Sequence, residues 1–151
     1  MRTLHGLEEL KALAGQEIGA SDWHVVTQEE VNLFADATHD HQWIHVDPER
    51  CRRESPFGQP IAHGYYTISL APVLLGQIMR VEGIRMGVNY GLNKMRLPSP
   101  VPVGSRVRLR AALNACEPFQ GGVAATVGMT FEVEGQQKPV CVAEAIYRYY
   151  A

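Results

Sequence analysis

Cysteine is scarce in this chain. Its three residues, Cys51, Cys116 and Cys141, are odd in number and form no C-x-x-C pair. That argues against a disulfide framework and against a cysteine-based zinc site, and it suits a reducing cytosol. No run reaches the ~18 apolar residues that a bilayer-spanning helix needs. The segment from Met1 to Leu10 lacks the apolar core of a secretion signal. A cytoplasmic protein without a membrane partner is therefore expected. There is no basic excess either: the formal net charge is −2, which gives no electrostatic case for a nucleic-acid partner. G-x-S-x-G and phosphate-loop motifs are absent, and Ser21, Ser69 and Cys51 have no nucleophile context.

What is present is ordinary globular composition, 46% hydrophobic and 20% charged over 151 residues. A single domain over 1–151 is expected, able to bury roughly two-thirds of its unfolded surface. No repeat or linker divides it.

The sharpest local signal is Thr27-Gln-Glu-Glu30, a capping box in which the hydroxyl and the third-position carboxylate satisfy each other's free N–H groups. Val26 and Val31 are placed to staple the same turn. Helical spacing of Val31, Phe34, Ala35 and Thr38 then predicts a helix from about Gln28 to Ala37. Before it, residues 3–14 read as a short amphipathic helix through Leu4, Leu7 and Leu10, and Glu17 to Val26 contains a strand. Asp47-Pro48 marks a second helix start, closed by the loop from Ser55 to Pro60. From Tyr65 to Met79 the chain is apolar on nearly every side, which predicts a long helix wrapped by other structure. Pro72 within it predicts a kink or two pieces.

After Gly83 the period becomes two. Val107, Leu109, Ala111, Leu113 and Ala115 alternate with polar neighbours, as do Val123, Ala125, Val127, Met129, Phe131 and Val133. Residues 84–96 and 138–149 supply two more strands. Gly121-Gly122 and Glu134-Gly135 read as hairpin turns. The expected fold class is α+β, a curled antiparallel sheet wrapped around one long central helix.

Chemistry concentrates between Phe34 and Asp47, where Asp40 and His45 stand five residues apart around Trp43 and Ile44. A loop Asp alone reads as solvated or C-capping, and a lone His as structural. Together, with apolar flanks drawing the loop inward, they describe an acid–base pair, because buried ionisable groups need a partner or a purpose. The residues by themselves leave both readings open. His39, Asp40, His41, His45 and Asp47 are also possible metal ligands, but their spacing matches no compact metal motif. Ile61-Ala-His-Gly64 opens the long apolar segment. Gly64 is either a flexible joint or a backbone N–H donor at a helix start, able to hold an oxygen that gains charge. Arg106, Arg108 and Arg110 share one strand face. That face meets either solvent or phosphates, and Arg50, Arg52 and Arg53 carry the same ambiguity.

Three segments, Asp36 to Asp47, Phe57 to Gly64 and Arg96 to Gly104, together resemble the MaoC-like, R-specific enoyl-CoA hydratase family. The resemblance spans about residues 17–150. It implies a hot-dog fold, a homodimer, and an enoyl-CoA thioester bound near the subunit interface. By position, Asp40 and His45 take the catalytic roles and the Gly64 N–H the oxyanion role, with Gln42, Trp43 and His63 as pocket residues. The family pattern Gly-Asp-x-Asn-Pro-aliphatic-His is here His39-Asp40-His41-Gln42-Trp43-Ile44-His45. His39 therefore stands where positive φ is wanted, Gln42 lengthens an amide, and Trp43 adds an apolar wall in place of proline. The implied reaction is reversible hydration of trans-2-enoyl-CoA to R-3-hydroxyacyl-CoA. Thioester conjugation makes C3 electrophilic, so no cofactor is expected and no metal. Hot-dog thioester hydrolysis and non-catalytic acyl-CoA binding are the rival readings.

Overall fold

The computed structural model describes residues 1–151. Its first elements depart from the sequence expectation. Residues 3–14 are not one helix: Arg2–His5 is a strand (β1) and Leu7–Ala12 a helix (α1). Gly6 separates them at φ 88°, a backbone that ends helical geometry. The strand forms because Arg2–His5 pairs in parallel with Met79–Glu82, which buries Leu4.

The Glu17–Val26 expectation resolves into two short strands, β2 (Gln16–Ala20) and β3 (His24–Val25). Helix α2 runs Gln28–Thr38, one residue beyond the expected end. Its capping box is complete: Glu30 N–H donates to Thr27 Oγ1 at 3.1 Å, and Thr27 N–H donates to the Glu30 carboxylate at 3.4 Å. Val26 and Val31 are both buried, as the staple requires. Two short helices follow, α3 (Trp43–Val46) and α4 (Pro48–Glu54). Asp47 caps the second, accepting from Arg50 N–H at 2.9 Å.

The long apolar segment is two helices, α5 (Gly64–Ser69) and α6 (Ala71–Ile78), not one. Pro72 lies in the first turn of α6 and has no N–H to continue the ladder. Leu70 joins the pieces in right-handed helical geometry. Only one side is wrapped. Tyr66, Thr67, Ala71, Leu74, Leu75 and Ile78 are buried, while Tyr65 and Val73 are exposed.

Strand β4 (Met79–Glu82) then precedes the long strands β5 (Met86–Arg96), β6 (Arg106–Phe119), β7 (Gly122–Val133) and β8 (Cys141–Tyr150). The main sheet runs β2-β6-β7-β8-β5, with β3 also on β6, and its pairings are all antiparallel. Gly121 and Gly135 occupy the turns at φ 94° and 80°. Leu109 lies opposite Phe131 and Ala111 opposite Met129, and this inward face meets α6 in the core. The alternation stops at a register shift between Leu113 and Ala115, leaving Ala115 only half-buried. On the outward face Arg106, Arg108 and Arg110 pair with Glu134, Glu132 and Glu17. Their charges are already met by carboxylates, which favours the solvated-face reading. No helix is long and apolar enough to cross a membrane.

Candidate active site

The loop after α2 begins at His39, the one non-glycine residue at positive φ (62°), where it serves as the C-cap. Histidine tolerates this left-handed position better than most side chains, so the loop turn survives without the family's glycine. Asp40 follows. Its Oδ1 accepts the Gln42 N–H at 3.3 Å, an Asx-type turn that feeds the chain into α3.

Ile61 connects α3 to the strand-like segment before α5. Its N–H donates to the Ile44 carbonyl at 3.0 Å, and its own carbonyl accepts from His45 Nδ1 at 2.6 Å. Ala62 N–H donates to Val101 O at 2.8 Å, tying the same segment to the loop before β6. Gln28 Nε2 donates to the His45 carbonyl at 2.7 Å and fixes α3 on α2. These bonds bring Ala62-His63-Gly64 beside His45.

His45 is buried, and its ring stacks on that of His63 at 3.9 Å between centroids. Because a carbonyl accepts only from a donor, Nδ1 carries the hydrogen. In the neutral ring Nε2 is then the basic atom. Burial pushes the His45 pKa below its ordinary value. The nearby His63 ring acts in the same direction, against the Ile61 carbonyl and the Asp40 charge. An Asp40 carboxylate oxygen and one ring nitrogen from each of His45 and His63 all lie within 4.8 Å of one another. One water can bridge such a separation. The three could also be considered as metal ligands. However, His63 Nε2 is committed to the Asp40 carbonyl at 2.9 Å and His45 Nδ1 to Ile61, so ligation through either atom would break the bonds that assemble the site.

A cavity of about 310 Å³ opens beside His45, lined among others by Phe57, Gly64, Thr67, Leu97 and Val140. Gly64 opens α5, where the first-turn N–H groups have no intrahelical partner. A Cβ at Gly64 would collide with the Leu97 side chain. Asp40 (54% exposed) does not line the cavity, and neither do Gln42, Trp43 or His63. Gln42 is exposed, and Trp43 is half-buried beneath the Arg50 guanidinium at 4.4 Å. His63 is buried between His45 and Phe34.

Some of the site carries no local sequence signal. Ile61 acts through its main chain, and Leu97 and Val140 arrive from distant segments. Tyr66 donates to Glu30 at 2.9 Å, with His24 at 3.1 Å from the same oxygen, so the N-terminus of α2 is anchored to α5. Burial alone would raise the Glu30 pKa. The hydrogen bonds from Tyr66 and Thr27, with His24 nearby, hold it below the ordinary value instead.

A curled antiparallel sheet over a broken central helix defines a hot-dog fold. The chain belongs to the MaoC like domain family, which matches residues 9–134; it is a hydro-lyase of that dehydratase family. It is 57% identical over 152 residues to the 3-hydroxyacyl-thioester dehydratase Z of Mycobacterium tuberculosis, covering all of both chains. Among solved structures, the monoamine oxidase regulatory protein from Archaeoglobus superposes with a TM-score of 0.77 at 20% identity, over 99% of this chain and 97% of that one. The (R)-hydratase from A. caviae involved in PHA biosynthesis gives 0.72 at 25% identity, over 89% and 94%.

Proposed function

We propose that this protein catalyses the reversible hydration of a trans-2-enoyl thioester to the R-3-hydroxyacyl thioester. The observation that carries the reading is the Asp40–His45 pair, close enough to share one water, beside a cavity lined by both His45 and Gly64. The relatives named as a 3-hydroxyacyl-thioester dehydratase and an (R)-hydratase support the substrate class and the hand.

In this reading His45 Nε2 and the Asp40 carboxylate position the water and take its proton as oxygen attacks C3. The thioester oxygen gains charge as the enolate forms and is met by the Gly64 N–H, whose missing side chain lets the ligand approach the backbone. The proton returns at C2. The apolar walls, Phe57, Leu97 and Val140, receive the acyl chain.

The test is a series of enoyl-CoA substrates from crotonyl to dodecenoyl. Loss of enoyl absorbance without free thiol is the expected result. Thiol release would instead show hydrolysis, and saturable binding without turnover would show a carrier. Asp40→Asn and His45→Ala should each lower the rate by about 10²–10⁴. Near-native rates in both folded variants would overturn the assignment.

The working unit proposed is a homodimer. Strand β5 is a sheet edge and exposes Met86, Val88, Tyr90 and Leu92, an apolar edge of the kind that stable soluble proteins cover. Light scattering should return twice the chain mass, and a monomer at micromolar concentration would reject the assembly.

A further inference from the structure

His63 is 3% exposed, yet it is a polar side chain with one ring nitrogen, Nδ1, buried and without any hydrogen-bond partner. A buried imidazole nitrogen left unpaired is destabilising, and an apolar side chain of similar size would avoid that cost. What histidine supplies here, and leucine would not, is the donor at the other nitrogen. Nε2 donates to the main-chain carbonyl of Asp40 at 2.9 Å.

That bond matters because Asp40 is otherwise held weakly. Its N–H reaches Thr38 Oγ1, at the end of α2, only at 3.5 Å, and its Oδ1 takes the Gln42 N–H at 3.3 Å, both exposed contacts two positions away in the chain. The His63 bond is the shortest of the three, and it alone reaches across 23 positions to another segment. The same ring lies against His45 at 3.9 Å and an interplanar angle of 28°, while Phe34 closes one further contact at 5.0 Å. One side chain thus touches both members of the acid–base pair, through a hydrogen bond to one and a ring face to the other.

We propose that His63 is a positioning residue, whose Nε2–H and ring face together fix the separation between the Asp40 carboxylate and the His45 imidazole. The proposal rests on the hydratase reading above and adds a third side chain to it. It differs from a packing role in what it requires of the residue: a hydrogen-bond donor at the Nε2 position, not merely volume. Displacing a reacting group by about 1 Å can cost on the order of 10²-fold in rate, and the Asp40 loop has no second tie of comparable length to prevent this.

The experiment compares wild type, His63→Leu and His63→Gln by steady-state hydration of crotonyl-CoA, with circular dichroism melts on each. Leucine fills the space without a donor; glutamine restores an N–H near the Nε2 position. His63→Leu should lower kcat by roughly 10- to 100-fold with KM changed less than threefold and the melting temperature unchanged or higher. His63→Gln should recover most of that kcat. Wild-type kcat in His63→Leu, or His63→Gln no better than His63→Leu, would overturn the proposal. If the leucine variant does not fold, ¹⁵N NMR of the wild-type ring decides, since the Nδ1–H tautomer at His63 would also overturn it. A wild type that does not hydrate any enoyl thioester rejects the hydratase reading separately, and the tautomer measurement still stands on its own.

Discussion

His45 Nδ1 and the Ile61 carbonyl lie 2.6 Å apart, and the Ile61 N–H returns to the carbonyl of Ile44, the residue before His45, at 3.0 Å. One peptide segment therefore fixes both the helix that carries the imidazole and the ring's orientation on it. The proton on Nδ1 leaves Nε2 as the base.

From this follows a pH dependence. Burial depresses the His45 pKa below its ordinary value near 6.5. The unfolded chain then binds a proton that the folded chain refuses as pH falls through 6.5 and downward. Stability should fall over that window and lose no more below the depressed folded value. Urea melts at pH 7.5 and 5.5 should show a smaller loss for His45→Gln than for wild type. The acid limb of kcat/KM should lie below pH 6.5; a limb above 6.5 would contradict the buried, neutral base.

Gly64→Ala tests the oxyanion donor. The added methyl meets the side chain of Leu97, a residue 45% exposed, and not the backbone. The melting temperature should move by only a few degrees, while kcat falls by about 10²-fold or more because the methyl keeps the thioester oxygen from the N–H. Combining it with Leu97→Ala should restore stability and not activity. Full activity in the double variant would remove Gly64 from its role.

Thr27→Ala removes half of the capping box at the start of α2. A loss of about 1 kcal/mol is expected, with a range of roughly 0.5–2, read as a shift in urea midpoint. Activity should remain near wild type, since the bonds from Gln28 to the His45 carbonyl and from Tyr66 to Glu30 do not involve the Thr27 side chain.

Phe131 is fully buried opposite Leu109 on the inward face of the sheet. Phe131→Ala should cost about 3–5 kcal/mol, through lost transfer energy plus a cavity that the close-packed strands cannot fill. Phe131→Leu should cost distinctly less, and equal losses in both would point to strain instead of volume.

Much of the fold was legible because its signals are local. The capping box, the staple and the period-two strands each depend on neighbours a few positions apart, and each appears where the pattern puts it. The misread parts have non-local causes. Arg2–His5 is a strand only because Met79–Glu82 lies alongside it. The central helix looked wrapped on all sides, but Tyr65 and Val73 face outward. Ala115 lost its place in the alternation to a bulge that periodicity does not reveal.

The Asp40–His45 pair was visible as two ionisable residues with apolar flanks, and Gly64 as a glycine at a helix start. Sequence alone determined these chemical types, since composition and local spacing decide which atoms can donate, accept or hold charge. Only the tertiary structure decided their relations: that Ile61 orients His45, that His63 lies under it and holds Asp40, and that Leu97 and Val140 close one cavity over Gly64. Those contacts join segments 16 to 76 positions apart in the chain. They exist only once the sheet has folded over the broken helix, because packing and not adjacency brings them together.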